Sequence, residues 1–219
     1  MKKLVILIAT LLGGCTASND SSLSQKELNN TLIIKISSDT TVNKASASWL
    51  SRDLIITSSH TFLGMPSTST IQVGNEGKWL DATVVAAEHP NKRDIAILKI
   101  KDQDKKHYLT GTYPKICSKA LPSREPVLVA SAFYNSVTKT TISPAPETMS
   151  NGVTYYDHLA HYFHPGSSGS PIYQASSGCL AGILSQANKL TINDNVRETT
   201  KFVTSENIAN FIKDNKIRL

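Results

Sequence analysis

The chain has 219 residues, of which 40% are hydrophobic and 18% charged, and its formal net charge is +6. Those proportions exclude an intrinsically disordered chain and suit one large domain or two small fused ones. The positive charge is spread out, with no Lys/Arg stripe interleaved with aromatics, so no nucleic-acid partner is expected.

The first stretch is not part of the fold. Met1-Lys2-Lys3 is positive, and Leu4 to Leu12 is apolar but too short to span a bilayer as a helix. Small residues and a cysteine follow in Leu12-Gly13-Gly14-Cys15, so residues 1–14 read as a secretory signal peptide. This ending resembles a bacterial lipobox, which implies that Cys15 is lipidated and becomes the mature first residue. An ordinary signal peptide with an incidental cysteine is the alternative. Thr16 after the cysteine resembles the pattern sorted to the outer membrane of a Gram-negative cell. The expectation is a protein lipid-anchored in the bacterial cell envelope, its domain in the periplasm or at the cell surface. Loss of Lys2 and Lys3 with the signal lowers the formal charge from +6 to +4. With Cys15 lipidated, Cys117 and Cys179 remain as an even pair in an oxidising compartment. A disulfide between them is expected, with two buried thiols as the alternative.

Residues 15–30 read as lipidated cysteine and tether, being rich in Ser, Thr, Asn and Asp up to Ser24. Ser24-Gln25-Lys26-Glu27 can cap a short helix through Asn30. From there the signals are β: Leu32 to Ser37, Ala45 to Leu50, Leu54 to Thr57, Thr70 to Val73, Trp79 to Ala87 and Ile95 to Ile100. Pro126 to Phe133, Lys139 to Ile142 and Val153 to Tyr156 come next, with a Pro/Ser/Gly-rich loop at Ser143 to Gly152. Pro171 to Gln174 and Leu180 to Ser185 form a hairpin through Ser176-Ser177-Gly178, and residues 199–204 form a last strand. Ser205 can cap a helix to about Asn215, with Ile208, Phe211 and Ile212 on one face. Many short strands and one terminal helix predict an all-β sandwich or barrel.

Chemistry concentrates at His164-Pro165-Gly166-Ser167-Ser168-Gly169-Ser170-Pro171. Glycines around a serine let the chain turn sharply and let another molecule approach the backbone. A nucleophilic serine needs such a setting, with N–H groups aimed at the developing oxyanion. It also needs an imidazole to take its proton and a carboxylate to orient that imidazole. His60 qualifies, because the apolar run Leu54–Thr57 delivers it into a turn of small residues, Thr57-Ser58-Ser59-His60. His89 and His107 sit in polar surroundings and read as surface residues. His158, His161 and His164 are spaced His-x-x-His-x-x-His, but no acid or cysteine flanks them in a zinc spacing, so no metal or cofactor is expected. Asp94 opens the apolar run Ile95–Ile100, where a poorly solvated carboxylate needs a partner such as a histidine N–H. Arg93 is a competing partner.

The blocks Thr57-Ser58-Ser59-His60, Asp94-Ile95-Ala96-Ile97-Leu98 and Gly166-Ser167-Ser168-Gly169-Ser170-Pro171 resemble, in this order, the signature blocks of trypsin/chymotrypsin-like serine proteases. The spacings are those of compact bacterial members. The resemblance spans roughly residues 31–215. It implies two perpendicular six-stranded antiparallel β-barrels (about 31–101 and 124–204) and a C-terminal α-helix at about 205–215. It also implies His60 as general base, Asp94 as its orienting carboxylate, and Ser168 as nucleophile. The N–H groups of Gly166 and Ser168 form the oxyanion hole, and Ser185 lies close to the buried aspartate. The substrate-binding region is expected around Tyr162, Phe163, Pro165, Ser185, Gln186 and Ala187.

Departures from the family pattern are informative. Ser167 stands where digestive members carry an aspartate that pairs with a freshly cut N-terminus, which implies an enzyme that is made active or is switched by another route. Ser170 replaces a glycine, as in glutamyl-endopeptidase-like members, yet Leu184 stands where those often have histidine. No acidic residue lies at the expected pocket base, which disfavours cleavage after Lys or Arg and leaves a small or medium apolar P1 residue. The expected function is a monomeric serine endopeptidase acting on protein or peptide substrates. The alternatives are a catalytically vestigial binding or adhesion module, or an esterase using the same three residues.

Overall fold

Isoleucine, leucine and valine runs dominate the β-strands, and their burial decides how the sheets close. In a computed structural model of the chain, the described residues are 20–75, 77–101, 113–143, 156–192 and 195–219. Cys15 and the signal stretch lie outside them.

The first sheet contains β1 (Thr31–Ser37), β2 (Val42–Trp49), β3 (Leu54–Thr57), β4 (Thr70–Asn75), β5 (Lys78–Ala87) and β6 (Ala96–Ile100). It closes into a barrel in the order β1-β2-β3-β6-β5-β4, with every pair antiparallel. The second contains β7 (Pro126–Ser131), β8 (Ser136–Ser143), β9 (Tyr156–Leu159), β10 (Pro171–Gln174), β11 (Leu180–Ile192) and β12 (Asn195–Thr204). It closes in the order β10-β11-β12-β9-β8-β7, again antiparallel throughout. Closure removes the free sheet edges that would otherwise recruit other chains. The fold is all-β, two six-stranded barrels with a C-terminal helix.

Each barrel has its own core. Leu32, Ile34 and Ile36, at alternate positions of β1, meet Trp49, Ile55, Leu80, Leu98 and Ile100 in the first. Val127, Val129, Ile142, Leu159, Ile172 and Phe202 fill the second. A third cluster lies between the barrels, where Leu54, Ile56, Ile95 and Ile97 pack with Tyr173, Ile183, Val203, Ile208 and Phe211. This seam explains why β3 and β6 read as continuous apolar runs. Ile55 and Leu98 point into the barrel, while Ile56 and Ile97 point into the seam. Each fully buried side chain of this size contributes about 1.5–3 kcal/mol, so burial in the seam favours the pairing of the two barrels.

The terminal helices seal the seam. In α1 (Asp20–Asn29) the first turn begins at Asp20, so Ser24 is interior rather than the expected cap, and the helix takes up part of the stretch expected to be tether. The helix packs on β7 and β8, with Leu28 on the seam cluster. Its Glu27 is buried, and that burial holds the carboxyl above its ordinary range despite the opposing pull of its backbone hydrogen bond and Lys26. The second helix, α2, runs Ser205–Asp214. Thr204, not Ser205, caps it by accepting from the Asn207 N–H, while the buried Ser205 hydroxyl donates to the Lys119 carbonyl. Among the described residues no helix is long and apolar enough to cross a membrane.

Other boundaries shift for physical reasons. β7 stops at Ser131, because Ala132–Asn135 form a turn with Asn135 at φ 46°, so Phe133 lies at a loop tip. β11 continues seven residues past Ser185, paired with β12 to Ile192 across a register shift between Leu184 and Gln186. Of the strand expected over Val153–Tyr156, the first three residues lie outside the described set, and β9 begins at Tyr156. Cys117 and Cys179 form a disulfide, with Cα atoms 5.1 Å apart, tying the segment before β7 to the β10–β11 hairpin.

Candidate active site

β3 ends in Thr57, and a single 3₁₀ turn, Ser59–Phe62, presents His60 at the seam. Every hydroxyl of the turn is tied down. Thr57 donates to the Ser46 carbonyl (2.8 Å), Ser58 to the Leu184 carbonyl of the other barrel (2.5 Å) and Thr61 to the Ser58 carbonyl (2.7 Å). The ring therefore has little freedom, yet its side chain keeps 24% exposure.

Asp94 precedes β6 and is fully buried, with φ 48°, an uncommon backbone conformation outside glycine. That conformation aims its carboxylate at the turn. Oδ2 lies 2.8 Å from His60 Nδ1 and accepts from the Ser185 hydroxyl at 2.5 Å. Oδ1 accepts from the His60 backbone N–H at 2.8 Å and lies 3.0 Å from the Ser59 hydroxyl. Burial alone would raise the carboxyl pKa. The hydrogen bond and charge of His60, the Ser185 hydroxyl and the His60 N–H together outweigh it and hold Asp94 below the ordinary range. A carboxyl depressed in this way stabilises the fold above its unfolded value of about 4, and that contribution is lost as pH falls through the lower folded value. Arg93 does not pair with Asp94. It reaches Glu88 and Asp214 and lies over the Phe211 ring, so it clamps the Asp94 loop to α2.

On the other side, His60 Nε2 lies 2.8 Å from Ser168 Oγ. Ser168 sits in a tight loop closed by Ser167 N–H to the His164 carbonyl (3.1 Å) and Ser170 N–H to the Ser167 carbonyl (2.9 Å). One link docks the loop across the seam, the Ser46 N–H donating to the Ser168 carbonyl (2.8 Å), and a second ties it to its own barrel, the Gly169 N–H donating to the Leu184 carbonyl of β11 (2.8 Å). Gly169 has φ +78°, and a Cβ there would collide with the Ser46 carbonyl and the Thr57 hydroxyl, so only glycine fits. Gly166 and Ser168 direct their N–H groups to no partner among the described residues. A histidine held between a buried carboxylate and a serine hydroxyl can draw the serine proton, and free N–H groups beside the hydroxyl can bind the oxyanion that its attack creates.

A cleft of about 310 Å³ opens beside this relay. Phe163, Pro165, Ser185, Gln186 and Ala187 line it, as do His164, Leu184 and Thr200. Tyr162 does not, since its ring turns edge-on to His164 instead, with centroids 5.2 Å apart. Among the described residues no acidic side chain lines the cleft.

A family model described as trypsin-like peptidase domain matches residues 45–183. The chain belongs to this family. Solved structures share the fold of this trypsin-like peptidase domain. The Rv3671c protease of M. tuberculosis in its active form is 17% identical, over 99% of this chain and 96% of that one, with a TM-score of 0.66. An inactive form of the same protease is 19% identical over 87% and 90% of the two chains, with a TM-score of 0.58. A serine endoprotease from Yersinia pestis is 16% identical over 87% of this chain and 64% of that one, with a TM-score of 0.64. No curated protein matches the sequence.

Two residues of this candidate site, Ser59 and Thr200, were not assigned to it from the sequence. Ser59 joins the Asp94 shell, and Thr200 lines the cleft while its Oγ1 accepts from the Phe163 N–H at 3.0 Å. The hydroxyl run Thr57-Ser58-Ser59, ending a buried strand, was a signal for the first. Nothing in the sequence marked Thr200, which reaches the cleft only through the pairing of β12 with β9 and β11. His158 is buried in β9 whereas His161 and His164 are exposed, and among the described residues no group of His, Cys, Asp and Glu could hold a metal.

Proposed function

We propose that the protein is a serine endopeptidase that cleaves protein or peptide substrates through an acyl-enzyme on Ser168. The observation that carries this reading is the relay Asp94–His60–Ser168, closed at 2.8 Å on both sides of the imidazole. His60 takes the Ser168 proton as Oγ attacks the scissile carbonyl and returns it to the leaving amine. Asp94 keeps the other ring nitrogen protonated and stabilises the cation. The Gly166 and Ser168 N–H groups bind the oxyanion, and water attacking along the same path releases the acyl group.

Family membership and the fold support peptide substrates. Phe163, Leu184 and Ala187 support a small or medium apolar P1 residue, since no carboxylate among the described residues lines the cleft to pair a Lys or Arg. The test is labelling of the purified protein by a fluorophosphonate, with the modified peptide identified by mass spectrometry and an apolar-P1 peptide hydrolysed in parallel. Label on Ser168 together with peptide cleavage is expected. Label elsewhere, or none, would overturn the assignment.

The lipobox-like Leu12-Gly13-Gly14-Cys15 supports an anchor on Cys15 and a place in the bacterial cell envelope. Changing Cys15 to Ser should release the protein from the membrane fraction, and continued membrane association would count against the anchor.

A further inference from the structure

The Pro165–Gly166 peptide decides whether an oxyanion site exists, because rotating it by half a turn replaces a donor N–H with an acceptor carbonyl. Gly166 has φ +95°, a freedom that lets the N–H face the cleft and equally permits the reverse. Ser167 carries no charge that could pin this loop by an ion pair. What does grip it is the β7–β8 turn.

Three contacts converge there. The Tyr134 hydroxyl donates to the Pro165 carbonyl at 2.6 Å. The Phe133 ring lies against the Gly166 Cα, where a Cβ would come within 2.8 Å of Cδ1. The Phe133 N–H donates to Ser46 Oγ, which in turn lies 3.4 Å from the Gly166 carbonyl. The peptide is trans, so C=O and N–H point opposite ways. Holding the Pro165 carbonyl outward on Tyr134 therefore holds the Gly166 N–H inward, on the side of Ser168. The turn stays rigid because Tyr134 N–H donates to the Ser131 hydroxyl and Asn135 N–H to the Ala132 carbonyl.

We infer that Tyr134 is a positioning residue of the peptidase reaction, whose hydroxyl holds the Pro165–Gly166 peptide in the orientation that binds the oxyanion. The inference rests on the serine-peptidase reading above. It assigns Tyr134 no contact with the reacting atoms. Its effect falls on the transition state, where the Gly166 N–H meets a developing negative charge, and much less on substrate binding.

The test is Tyr134→Phe in the full protein, assayed with an apolar-P1 chromogenic peptide and a matching peptide boronic acid, whose tetrahedral adduct occupies the oxyanion site. The substitution keeps the ring and its edge-on packing against Phe133, with centroids 5.0 Å apart, and removes only the exposed hydroxyl. One lost neutral hydrogen bond predicts about a tenfold fall in kcat, a matching loss of boronate affinity and KM within about twofold of wild type. The inference is overturned if kcat and boronate affinity stay within about twofold of wild type. It is equally overturned if KM rises while kcat holds, because Tyr134 would then be a substrate contact at the rim. Wild-type protein that neither cleaves the peptide nor binds the boronate overturns the peptidase reading together with this one. A wild-type-like Tyr134→Phe variant overturns this inference alone.

Discussion

Converting Ser168 to Ala is expected to lower kcat about 10⁶-fold, and converting Asp94 to Asn about 10⁴-fold, with the double variant no worse than Ser168→Ala alone. Non-additivity follows because Ser168 and Asp94 act on one step, the transfer of the Ser168 proton to His60, and without the hydroxyl there is no proton for the oriented ring to take. The Asp94→Asn effect has a specific origin. Every neighbour of the carboxylate is a hydrogen-bond donor: the His60 ring, the His60 N–H and the hydroxyls of Ser59 and Ser185. An amide can accept on one atom only, so its NH₂ must face a donor. The hydroxyls can turn to accept, but the backbone N–H cannot. The amide oxygen is therefore held by the His60 N–H, and the NH₂ is left facing His60 Nδ1. The ring then carries its proton on Nε2 and cannot take the one on Ser168. Steady-state kinetics on the three variants measure this. An Asp94→Asn variant within tenfold of wild type would mean that the carboxylate does not set the tautomer.

The second large effect is on stability. The disulfide closes a loop across 62 residues of sequence, which in the chain-entropy treatment stabilises the fold by about 4 kcal/mol. The bond reinforces an existing contact, since Cys117 N–H donates to the Leu180 carbonyl and Leu180 N–H to the Lys115 carbonyl. A domain whose whole stability is on the order of 5–15 kcal/mol cannot lose that amount unnoticed. Replacing both cysteines by alanine should lower the urea midpoint by about 2 M, taking a slope of about 2 kcal/mol per M. Adding a reductant to the wild type should act in the same direction. An unchanged midpoint in both experiments would show that the bond closes a loop already closed by packing.

How far the fold could be read in advance varied with the physics of each segment. Ile55–Ile56 and Ile97–Leu98 announced themselves because burial on both faces leaves an unbroken apolar run. The mostly polar stretch from Gln186 to Glu198, which pairs β11 with β12, carried no such signal, because backbone pairing leaves no apolar pattern in the sequence. Sandwich and barrel differ only in how the strands close, which no local pattern encodes. Resemblance to a family supplied that step. The site followed the same rule. His60, Asp94 and Ser168 each stood out locally, as a histidine after a buried strand, an acid at the mouth of one, and a serine among glycines. Tyr134 did not, because an aromatic three residues past a strand acquires meaning only when the turn folds over Pro165. Ser205 was misjudged as a cap for a similar reason: its hydroxyl is claimed by Lys119, distant in sequence.

The apolar seam between the barrels has one more consequence. His60 and Asp94 belong to one barrel and Ser168 to the other, so the 2.8 Å gap between imidazole and hydroxyl spans two separately cored bodies. A slip of about an ångström along the seam would part proton donor from acceptor while leaving both cores filled. The proposed turnover would therefore report how well the two barrels are aligned. Under gradual perturbation, the proposed hydrolysis is expected to fade before the spectroscopic signature of either sheet, measured by activity and circular dichroism on the same samples.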